Sequence, residues 1–359
     1  MAEPLRAALI TLGDPRTLTG GYLYHRRMAA LAPRFDTRLE FVSFPLRPFP
    51  LAAFDAGAVL RQARRRGAEV LVLDSIAAAF LGPRFLARAP DLPVVGMLHQ
   101  PPGGIDSRGA RQQAQARLDR LAYARVPRLM VASAALSDEL VALGYARARL
   151  TVVLPGRDVA AQIGTPPGDL RQGRKTALLC VANWSPRKGI HSLLAALARL
   201  PAETATLHLA GDENVEPRYA AFIRRQLARP ELAGRVVRHG PLPVARVAAL
   251  YAAADVFVLP SVKEPFGTVL GEAMAAGLPV VGWNAGNLPH LAQNEREGLI
   301  LPPGNVAALS AALLRLAADE PLRRTLGDAA RLRASTRPTW EDSAALFFRT
   351  IRAAATGEK

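Results

Sequence analysis

The feature that most constrains this chain is the alternation of short, uniformly apolar runs with segments of helical periodicity. Runs that are apolar at every position are typical of strands covered on both faces, and such strands form parallel sheets with helical crossovers. In the first half the predicted strands cover residues 7–12, 39–44, 70–73, 94–98, 129–132 and 150–154, and the predicted helices cover 22–32, 56–66, 111–124 and 137–143. We therefore predict an α/β fold with a doubly wound, mostly parallel sheet.

The alternation stops over residues 155–175, which are rich in Pro, Gly and charge, and this composition is typical of an interdomain linker. It then restarts, with predicted strands at 177–182, 206–210, 236–239, 256–259, 280–283 and 299–301. We predict two Rossmann-like domains, residues 1–160 and 161–338, that face each other across a cleft. Residues 339–359 form a predicted amphipathic C-terminal helix that could pack back on the N-terminal domain.

The charge of the chain limits the classes of partner. The net charge is +16 and the isoelectric point is near 11.1, which suggests an anionic partner: nucleic acid, an acidic membrane surface or a phosphorylated small molecule. The alternative, which we favour, is a compositional bias toward arginine spread over solvent-exposed faces. Aromatic residues are only 6% of the chain and no basic cluster is interleaved with them, so we expect no nucleic acid. The single cysteine, Cys180, excludes disulfides, and no apolar run is long enough to cross a membrane, so we expect a cytoplasmic protein.

A pair of glutamates brackets a predicted helix start near residue 266. Glu264 lies in the loop that follows a predicted strand, and Glu272 lies eight residues later, in the second turn of the predicted helix. Between them the N–H groups of Gly267, Thr268 and Val269 lack intrahelical partners and point toward the positive end of the helix dipole, which favours a phosphate. Carboxylates beside a phosphate site accept hydrogen bonds from hydroxyls, so the pattern fits a phosphorylated, polyhydroxylated ligand. On spacing alone, two exposed acids without function remain an equal alternative.

Two further features lie at predicted strand ends in the first half. Gly20 and Gly21 follow the first strand and its loop and precede the predicted helix, where they permit close backbone approach or simply a tight turn. His99 follows the strand at 94–98, so we expect its ring to face the cleft. The chain has no Asp-x-Asp, its histidines lack metal-ligand spacing, and no Ser-His-Asp pattern is present, so we predict no metal and no conventional nucleophile.

The segment E-P-F-G-T-V-L-G-E-A-M-A-A-G-L-P-V-V at residues 264–281 resembles the E-x7-E signature of retaining family-4 glycosyltransferases of GT-B fold. Other segments resemble the same family in the same order: C-V-A-N-W-S-P-R-K-G-I-H-S-L-L at 180–194, L-H-L-A-G-D at 207–212, A-A-A-D-V-F-V-L-P-S at 252–261 and G-L-I-L-P-P-G-N at 298–305. The resemblance covers nearly all of the second half. It is thinner in the first half, where G-G-Y, His99 and L-S-D-E-L-V-A-L-G-Y at 136–145 carry it.

The resemblance implies a role for each matching residue. Glu264 would contact the donor sugar near the reacting centre, Glu272 would bind the ribose hydroxyls, and Lys188, opening a helix after a strand, would neutralise the diphosphate. Phe266, Gly267, Thr268 and Val269 would line the sugar and phosphate site, Gly20 and Gly21 would lie against the diphosphate, and His99 would lie by the donor sugar. The loop containing Arg238, His239, Gly240 and Leu242 would pack on the nucleobase. The family arginine five residues before the lysine is replaced here by Asn183, and Arg187 could substitute for it.

The resemblance implies metal-independent, retaining transfer of a hexosyl unit from a nucleoside-diphosphate sugar to a hydroxyl acceptor. The donor would be a co-substrate and no cofactor is implied; a UDP-sugar is the first expectation and a GDP-sugar the second. A nucleotide-sugar phosphorylase or epimerase and a non-catalytic nucleotide-sugar or nucleic-acid binding protein remain alternatives. The acceptor stays open among small molecules, lipids and polysaccharide precursors. Arg111, Arg117 and Arg120 on one predicted helix could meet an acidic membrane at its inner face, or form an ordinary charged helix face.

Overall fold

The structure is a computed structural model that describes residues 3–16, 20–45, 47, 54–87, 91–105, 109–157 and 168–357, with residues 83–85 described by their backbone alone. The chain divides into two compact units: unit 1 is Met1–Gly156 with Pro338–Lys359, and unit 2 is Arg157–Arg337. Within the predicted linker at 155–175, residues 158–167 lie outside the described residues.

Unit 1 is built on one six-stranded sheet. Its strands are β1 (Leu5–Leu12), β2 (Thr37–Phe44), β3 (Val70–Asp74), β4 (Val94–Leu98), β5 (Arg128–Val131) and β6 (Leu150–Val152), and its helices are α1 (Gly20–Leu31), α2 (Ala56–Arg65), α3 (Ser75–Ala87), α4 (Gly109–Ala124), α5 (Ala134–Ala142) and the C-terminal helix Trp340–Ala355. The strand order is β2-β1-β3-β4-β5-β6 and every pairing is parallel. The order reverses between β1 and β3, so side chains that follow these strands meet at one edge of the sheet.

Unit 2 has a second six-stranded parallel sheet. Its strands are β7 (Thr176–Val181), β8 (Ala205–Ala210), β9 (Val236–Gly240), β10 (Val256–Leu259), β11 (Val280–Trp283) and β12 (Gly298–Leu301), and its helices are α6 (Ile190–Leu197), α7 (Pro217–Leu227), α8 (Val244–Ala253), α9 (Thr268–Ala275), α10 (Leu288–Leu291), α11 (Val306–Ala318) and α12 (Glu320–Ser335). The strand order is β12-β11-β10-β7-β8-β9 with parallel pairings. This is the Rossmann order, and its reversal lies between β7 and β10.

The C-terminal helix, α13 (Trp340–Ala355), packs against α1 within unit 1. A capping box holds its start, because the Thr339 side chain accepts from the Asp342 N–H while the Asp342 carboxylate accepts from the Thr339 N–H. Its apolar side buries Phe347, Phe348 and Ile351 completely or nearly so. The C-terminal helix thus contributes buried aromatic side chains to unit 1, although the sheet of that unit is formed by strands within residues 5–152.

The predicted fold class is confirmed: the chain forms two parallel α/β sheets, and each predicted strand is present within two residues of its predicted bounds. In unit 1 one described helix, α3, was missed. α3 lacks the amphipathic period that identifies a helix from sequence, because its sequence, S-I-A-A-A-F-L-G-P-R-F-L-A, is apolar at most positions. At Gly82 it packs so closely on α4 that an added Cβ would lie 2.5 Å from Cβ of Ala122. No described helix is both long enough and apolar enough to cross a membrane.

Candidate functional site

The centre of the candidate site in unit 2 is an ion pair between the side chains of Lys188 and Glu264. Lys188 follows β7 and Glu264 follows β10, the two strands between which the strand order reverses. Only 12% of the lysine side chain and 9% of the glutamate side chain are exposed. Ligands of open α/β sheets bind beyond the carboxyl ends of strands at this reversal, so the pair lies where the fold places a ligand.

A short turn positions Lys188. The residue does not open a helix, as the sequence had suggested; it ends a 3₁₀ turn at Pro186–Lys188, and α6 begins at Ile190. Gly189 separates the two with a φ of +72°, and a Cβ built there would lie 2.0 Å from the Pro260 carbonyl oxygen. The positive φ and this close approach both require glycine, so the turn can pack directly on the loop after β10.

Hydrogen bonds clamp the same turn to the loop that contains Glu264. The Arg187 carbonyl accepts from the Val262 N–H and from the Ser261 hydroxyl, each at 2.9 Å. The Arg187 guanidinium donates to the Lys263 carbonyl at 3.2 Å. These bonds fix the two loops to each other and thereby hold Lys188 beside Glu264.

Sequence reasoning missed Asn287, which holds the other side of the Glu264 loop. Its backbone N–H donates to the Glu264 carbonyl at 2.8 Å, and its side-chain amide donates to the Phe266 carbonyl at 2.7 Å. The preceding Gly286 has a φ of +57°, and a Cβ added there would lie 2.6 Å from the Glu264 nitrogen. The available signal was a Gly-Asn pair after the predicted strand at 280–283, but only the fold reveals which loop it contacts.

The helix start predicted between the two glutamates is present, two residues later than expected. α9 begins at Thr268 with Gly267 as its N-cap residue at a φ of +70°, so Phe266 and Gly267 precede the helix. Glu272 lies in the second turn and is exposed, and its carboxylate accepts from the Tyr251 hydroxyl at 3.0 Å. Burial, and then the Glu272 charge, raise the pKa of Tyr251 well above its usual value, so the hydroxyl keeps its proton as a donor.

The remaining predicted residues of unit 2 lie at the ends of β7 and β9. The Asn183 side chain accepts from the Asp212 N–H at 3.0 Å, which ties the loop after β7 to the loop after β8. Arg238 is exposed, with its Nε 3.5 Å from a Glu213 oxygen. The His239 ring is stacked on His208, with 3.0 Å between Nε2 of His239 and Nδ1 of His208. Gly240 ends β9 and Leu242 packs on the core of the unit.

In unit 1 the sheet edge carries a buried cluster that includes His99. The His99 ring follows β4 and lies against α1: a Cβ added to Gly21 would lie 3.5 Å from its Cδ2, and the Tyr24 ring packs edge-on at 5.1 Å. Nε2 of His99 is 3.0 Å from Nε2 of His25, which is 3.2 Å from a carboxylate oxygen of Asp74. Gly20 and Gly21 form the first turn of α1 rather than preceding it.

The surroundings set the charges of this cluster. Burial, with the neighbouring His25 ring as the second cause, lowers the pKa of His99 to about 3, so its ring is neutral. The pKa of Asp74 lies at about 2: burial would raise it, but His25, His99 and the Thr11 hydroxyl outweigh that effect. Thr11, at the end of β1, donates to the carboxylate at 2.8 Å. His25 and Asp74 were not found from sequence, because their pairing joins a helix to a strand end 49 positions away.

The ligand atoms of His25, Asp74 and His99 lie within 4.8 Å of one another, close enough to share a cation. The details do not fit a metal. The two Nε2 atoms are 3.0 Å apart, a direct hydrogen-bond distance, whereas two nitrogens on one tetrahedral zinc are about 3.3 Å apart. A metal-bound histidine also normally donates its second N–H, and Nδ1 of His25 has no partner among the described residues. A shared proton suits the cluster better.

The loop after His99 is held by a buried carboxyl group that sequence reasoning also missed. Asp119 of α4 accepts from the Gly103 N–H at 2.8 Å, and its other oxygen has no partner among the described residues. Burial raises the pKa of this carboxyl to about 7, although the Gly103 N–H opposes the rise. The carboxyl therefore anchors the loop that begins at His99. Arg111, Arg117 and Arg120 lie on the exposed side of the same helix.

Comparisons with known proteins agree with this architecture. The model described as "Glycosyltransferase Family 4" matches residues 9–161, and the model described as "Glycosyl transferases group 1" matches residues 167–333. A glycogen synthase of Mycobacterium tuberculosis is 32% identical over 282 residues, which are 76% of this chain and 66% of that relative. The match thus spans slightly less than two thirds of the relative's own length.

Solved structures share the fold. Sucrose-phosphate synthase from Thermosynechococcus elongatus superposes with a TM-score of 0.83 at 21% identity, covering 98% of this chain and 100% of that one. The Anabaena protein HepE, solved with UDP and glucose, superposes with a TM-score of 0.77 at 22% identity, covering 97% of this chain and 100% of that one. At these identities the likeness establishes the GT-B fold.

Proposed function

We propose, on the premise that this chain belongs to the family-4 glycosyltransferases, that it transfers a hexosyl unit from a nucleoside-diphosphate sugar to a hydroxyl acceptor. We further propose that the transfer retains the anomeric configuration and needs no metal. The observation that carries the proposal is the Lys188–Glu264 pair at the strand reversal, beside the start of α9. The pair supports the proposal because it joins a cation to a carboxylate only four residues before α9 begins at Thr268.

The donor site would use these groups in distinct roles. Lys188 and the N–H groups of Gly267, Thr268 and Val269 would bind the diphosphate, because a fixed cation and a helix N-terminus both favour negative charge. Glu264 and Phe266 would contact the transferred sugar. Glu272 would accept hydrogen bonds from the ribose, and its contact with Tyr251 supports that role because it orients the carboxylate. The loop at 238–242 would pack on the nucleobase. Gly20 and Gly21 would lie against the diphosphate, and His99 would lie by the donor sugar.

The charge of the Lys188–Glu264 pair suits a departing diphosphate. Without a ligand the two side chains neutralise each other, so neither charge is buried alone. A diphosphate offers Lys188 a second anionic partner, and the attraction grows as the leaving group gains charge in the transition state. Arg187 stands next to Lys188 and we propose it as the second cation, since Asn183 is used to tie the loop after β8.

The chemistry proposed is a front-face displacement. The bond between the anomeric carbon and the phosphate oxygen breaks, the acceptor oxygen bonds to the same face, and its proton passes to the departing phosphate oxygen. Cys180 is unsuited to act as a nucleophile, because burial raises the pKa of its thiol to about 12. The enzyme would then act by positioning the reactants and stabilising charge.

A thermal-shift screen over nucleotide sugars with EDTA present tests the donor class. A ligand at 100 times its dissociation constant stabilises the folded protein by about 2.7 kcal/mol. We expect one UDP-sugar to raise the unfolding midpoint, with a GDP-sugar second, and we expect Glu272→Ala to abolish the shift. The presence of UDP in a protein of the same fold supports uridine as the first choice. If no nucleotide or nucleotide sugar shifts the midpoint at millimolar concentration, the donor-site proposal is wrong.

The stereochemical proposal can be tested without knowing the acceptor. With water as a slow acceptor, proton NMR follows the first hexose anomer released from the donor identified by the screen. Retention predicts the α-anomer first from an α-linked donor, and early accumulation of the β-anomer would refute it. Turnover that requires inorganic phosphate, or a change of the sugar within an intact donor, would favour the phosphorylase or epimerase alternative. Donor binding with no turnover for any acceptor tried would favour the binding-protein alternative.

The acceptor is proposed only as a hydroxyl compound: a small molecule, a lipid or a polysaccharide precursor. For a lipid acceptor, the exposed Arg111, Arg117 and Arg120 of α4 would favour an acidic membrane surface at the cytoplasmic face. Cosedimentation with phosphatidylglycerol vesicles tests this, with phosphatidylcholine vesicles as the control. Loss of binding when the three arginines are replaced by glutamine would support the proposal, and equal binding to both vesicles would contradict it.

A further inference from the structure

We propose that Asp74, acting through His25, fixes His99 as the tautomer that carries its ring proton on Nδ1. Asp74 and His25 are then positioning residues for His99. All of the contacts among these three residues lie within unit 1. The consequence for turnover rests on the proposed function, whereas the tautomer itself does not.

Three atoms converge in this cluster: a carboxylate oxygen of Asp74, Nε2 of His25 and Nε2 of His99. Nε2 of His25 is within hydrogen-bond distance of both an Asp74 oxygen and Nε2 of His99. A carboxylate has no proton to donate, and the Asp74 carboxylate accepts hydrogen bonds from the Thr11 hydroxyl and the Ile76 backbone N–H, as an ionised group does. His25 must therefore present an N–H at Nε2, or its lone pair would face the carboxylate in a buried site.

The second step concerns His99. If Nε2 of His25 carries a hydrogen, Nε2 of His99 at 3.0 Å must present its lone pair and accept. A neutral imidazole carries one ring proton, so the proton of His99 is on Nδ1. Any hydrogen bond that the His99 ring makes to a ligand through Nδ1 is then a donated one, and Nε2 is occupied by His25.

The third step concerns how firmly the relay is held. The Asp74 carboxylate accepts from the Thr11 hydroxyl at 2.8 Å and from the Ile76 backbone N–H at 3.3 Å. The backbone N–H of His99 donates to the Ser75 hydroxyl at 3.1 Å. These contacts come from β1 and from the segments that follow β3 and β4, all at the reversal of the sheet. Both His25 and Asp74 are fully buried, so water does not compete for their hydrogen bonds.

The fourth step is the charge of His25. An imidazolium would bury an N–H at Nδ1 of His25 in addition to the N–H at Nδ1 of His99, and the described residues offer an acceptor to neither atom. A neutral His25 with its proton on Nε2 leaves only a lone pair at that position. One proton, donated by His25 toward both Asp74 and His99, therefore satisfies the three converging atoms.

Long-range proton–nitrogen NMR on protein labelled with ¹⁵N-histidine reports the tautomer of each ring. His99 is assigned by the signal lost in His99→Gln. We expect wild-type His99 to be protonated at Nδ1 and bare at Nε2. A bare Nδ1 with a protonated Nε2, an imidazolium at pH 7, or one equivalent of bound metal by elemental analysis would each overturn the proposal. The tautomer is measured on the wild-type protein, and His99→Gln is the one variant that must fold, because it assigns the signal.

A pair of variants separates the relay from simple packing. Asp74→Asn removes the obligate acceptor while keeping the size of the side chain, so we expect the His99 tautomer to become mixed. Thr11→Val removes one hydrogen bond but keeps the carboxylate, so we expect the tautomer to be unchanged. If Asp74→Asn leaves His99 purely Nδ1-protonated, Asp74 has only a structural role and the proposal is wrong.

Kinetics supply the readout that depends on the proposed function. For donor turnover we expect Asp74→Asn to lower kcat by about tenfold or more with little change in KM, and Thr11→Val to stay within about threefold of wild type. A mixed tautomer with normal kcat would refute the catalytic consequence and keep the assignment. If the wild-type protein binds no donor, the proposed function is wrong, but the tautomer measured by NMR is unaffected.

Discussion

Lys188 and Glu264 are 76 residues apart in the sequence, yet their side chains form a largely buried ion pair at the carboxyl ends of β7 and β10. Both residues lie in unit 2, and the pair joins two of the segments in which the family resemblance implies donor contacts. The Lys188 ammonium and the Glu264 carboxylate neutralise each other's charge. Removal of either one leaves a charge in a site from which most water is excluded.

We expect Lys188→Met to destabilise unit 2 by about 3–5 kcal/mol, because Glu264 is left as an unpaired, largely buried carboxylate. The double variant Lys188→Met/Glu264→Gln should recover part of that loss, because no unpaired charge remains. Denaturant-dependent labelling of Cys180 measures the effect, since this buried thiol in unit 2 reacts only when the unit opens.

The control for this prediction is the exposed pair of Arg324 and Glu320 on α12, whose side chains are 77% and 49% exposed. Arg324→Met should cost less than about 1 kcal/mol in the same assay. Equal losses for the two single variants would mean that the Lys188–Glu264 pair behaves as an ordinary surface pair, and the account of the site would fail.

A matched pair of glycines tests the contact between the two loops. Gly189 and Gly304 have similar φ values of +72° and +77°, but an added Cβ meets the Pro260 carbonyl at Gly189 and open space at Gly304. Gly304→Ala should cost about 1–2 kcal/mol from backbone strain alone. Gly189→Ala should cost clearly more in the Cys180 assay, because the turn with Lys188 must move away from Pro260. Equal costs would contradict the close approach.

The Tyr251 hydroxyl should contribute to donor binding through Glu272. Tyr251→Phe keeps the buried ring and removes the hydrogen bond to the carboxylate, so Glu272 loses its fixed orientation. We expect donor KM to rise about tenfold with kcat nearly unchanged, in line with a hydrogen bond to a charged group. The control is Tyr219→Phe, which removes a hydroxyl bonded to His191 elsewhere in the unit. Unchanged donor KM in Tyr251→Phe would separate Tyr251 from the site.

The raised pKa of Asp119 predicts a pH-dependent stability. Between about pH 4 and pH 7 the folded protein keeps a proton that the unfolded chain has lost, so stability falls as pH rises through this window and levels off above it. The total change is up to about 4 kcal/mol. Unfolding midpoints from pH 4 to 8 should show wild type losing stability relative to Asp119→Asn, whose amide does not ionise. Parallel curves would contradict the prediction.

The strands could be predicted from sequence because burial on both faces leaves a continuous apolar signature, as in residues 256–259. α3 could not, because its mostly apolar sequence has no polar face whose spacing reveals the helical period. The position of the helix start near Glu264 was predicted within two residues, but α9 begins after Gly267 because the positive φ of that glycine is not helical. The limits of short elements depend on such backbone details.

The site was predicted where one segment carries the signal and missed where distant segments meet. Glu264 and Glu272 lie in one motif, and the helix start between them together with the family resemblance indicated a ligand site that spacing alone left undecided. His25 and Asp74 lie in separate elements, and no local pattern marks either as the partner of His99. Asn287 follows a different strand from the loop it holds. Such pairings depend on strand order, which the sequence of one chain does not display.

The central claim is that unit 2 binds a nucleoside diphosphate without metal through the groups at the start of α9. Isothermal titration calorimetry of UDP in the presence of EDTA tests it most directly, with Glu272→Ala as the site variant and His99→Gln in unit 1 as the control. We predict saturable binding to wild type, at least tenfold weaker binding to Glu272→Ala, and unchanged binding to His99→Gln. Binding that appears only after magnesium is restored, or equal affinity in wild type and Glu272→Ala, would contradict the claim.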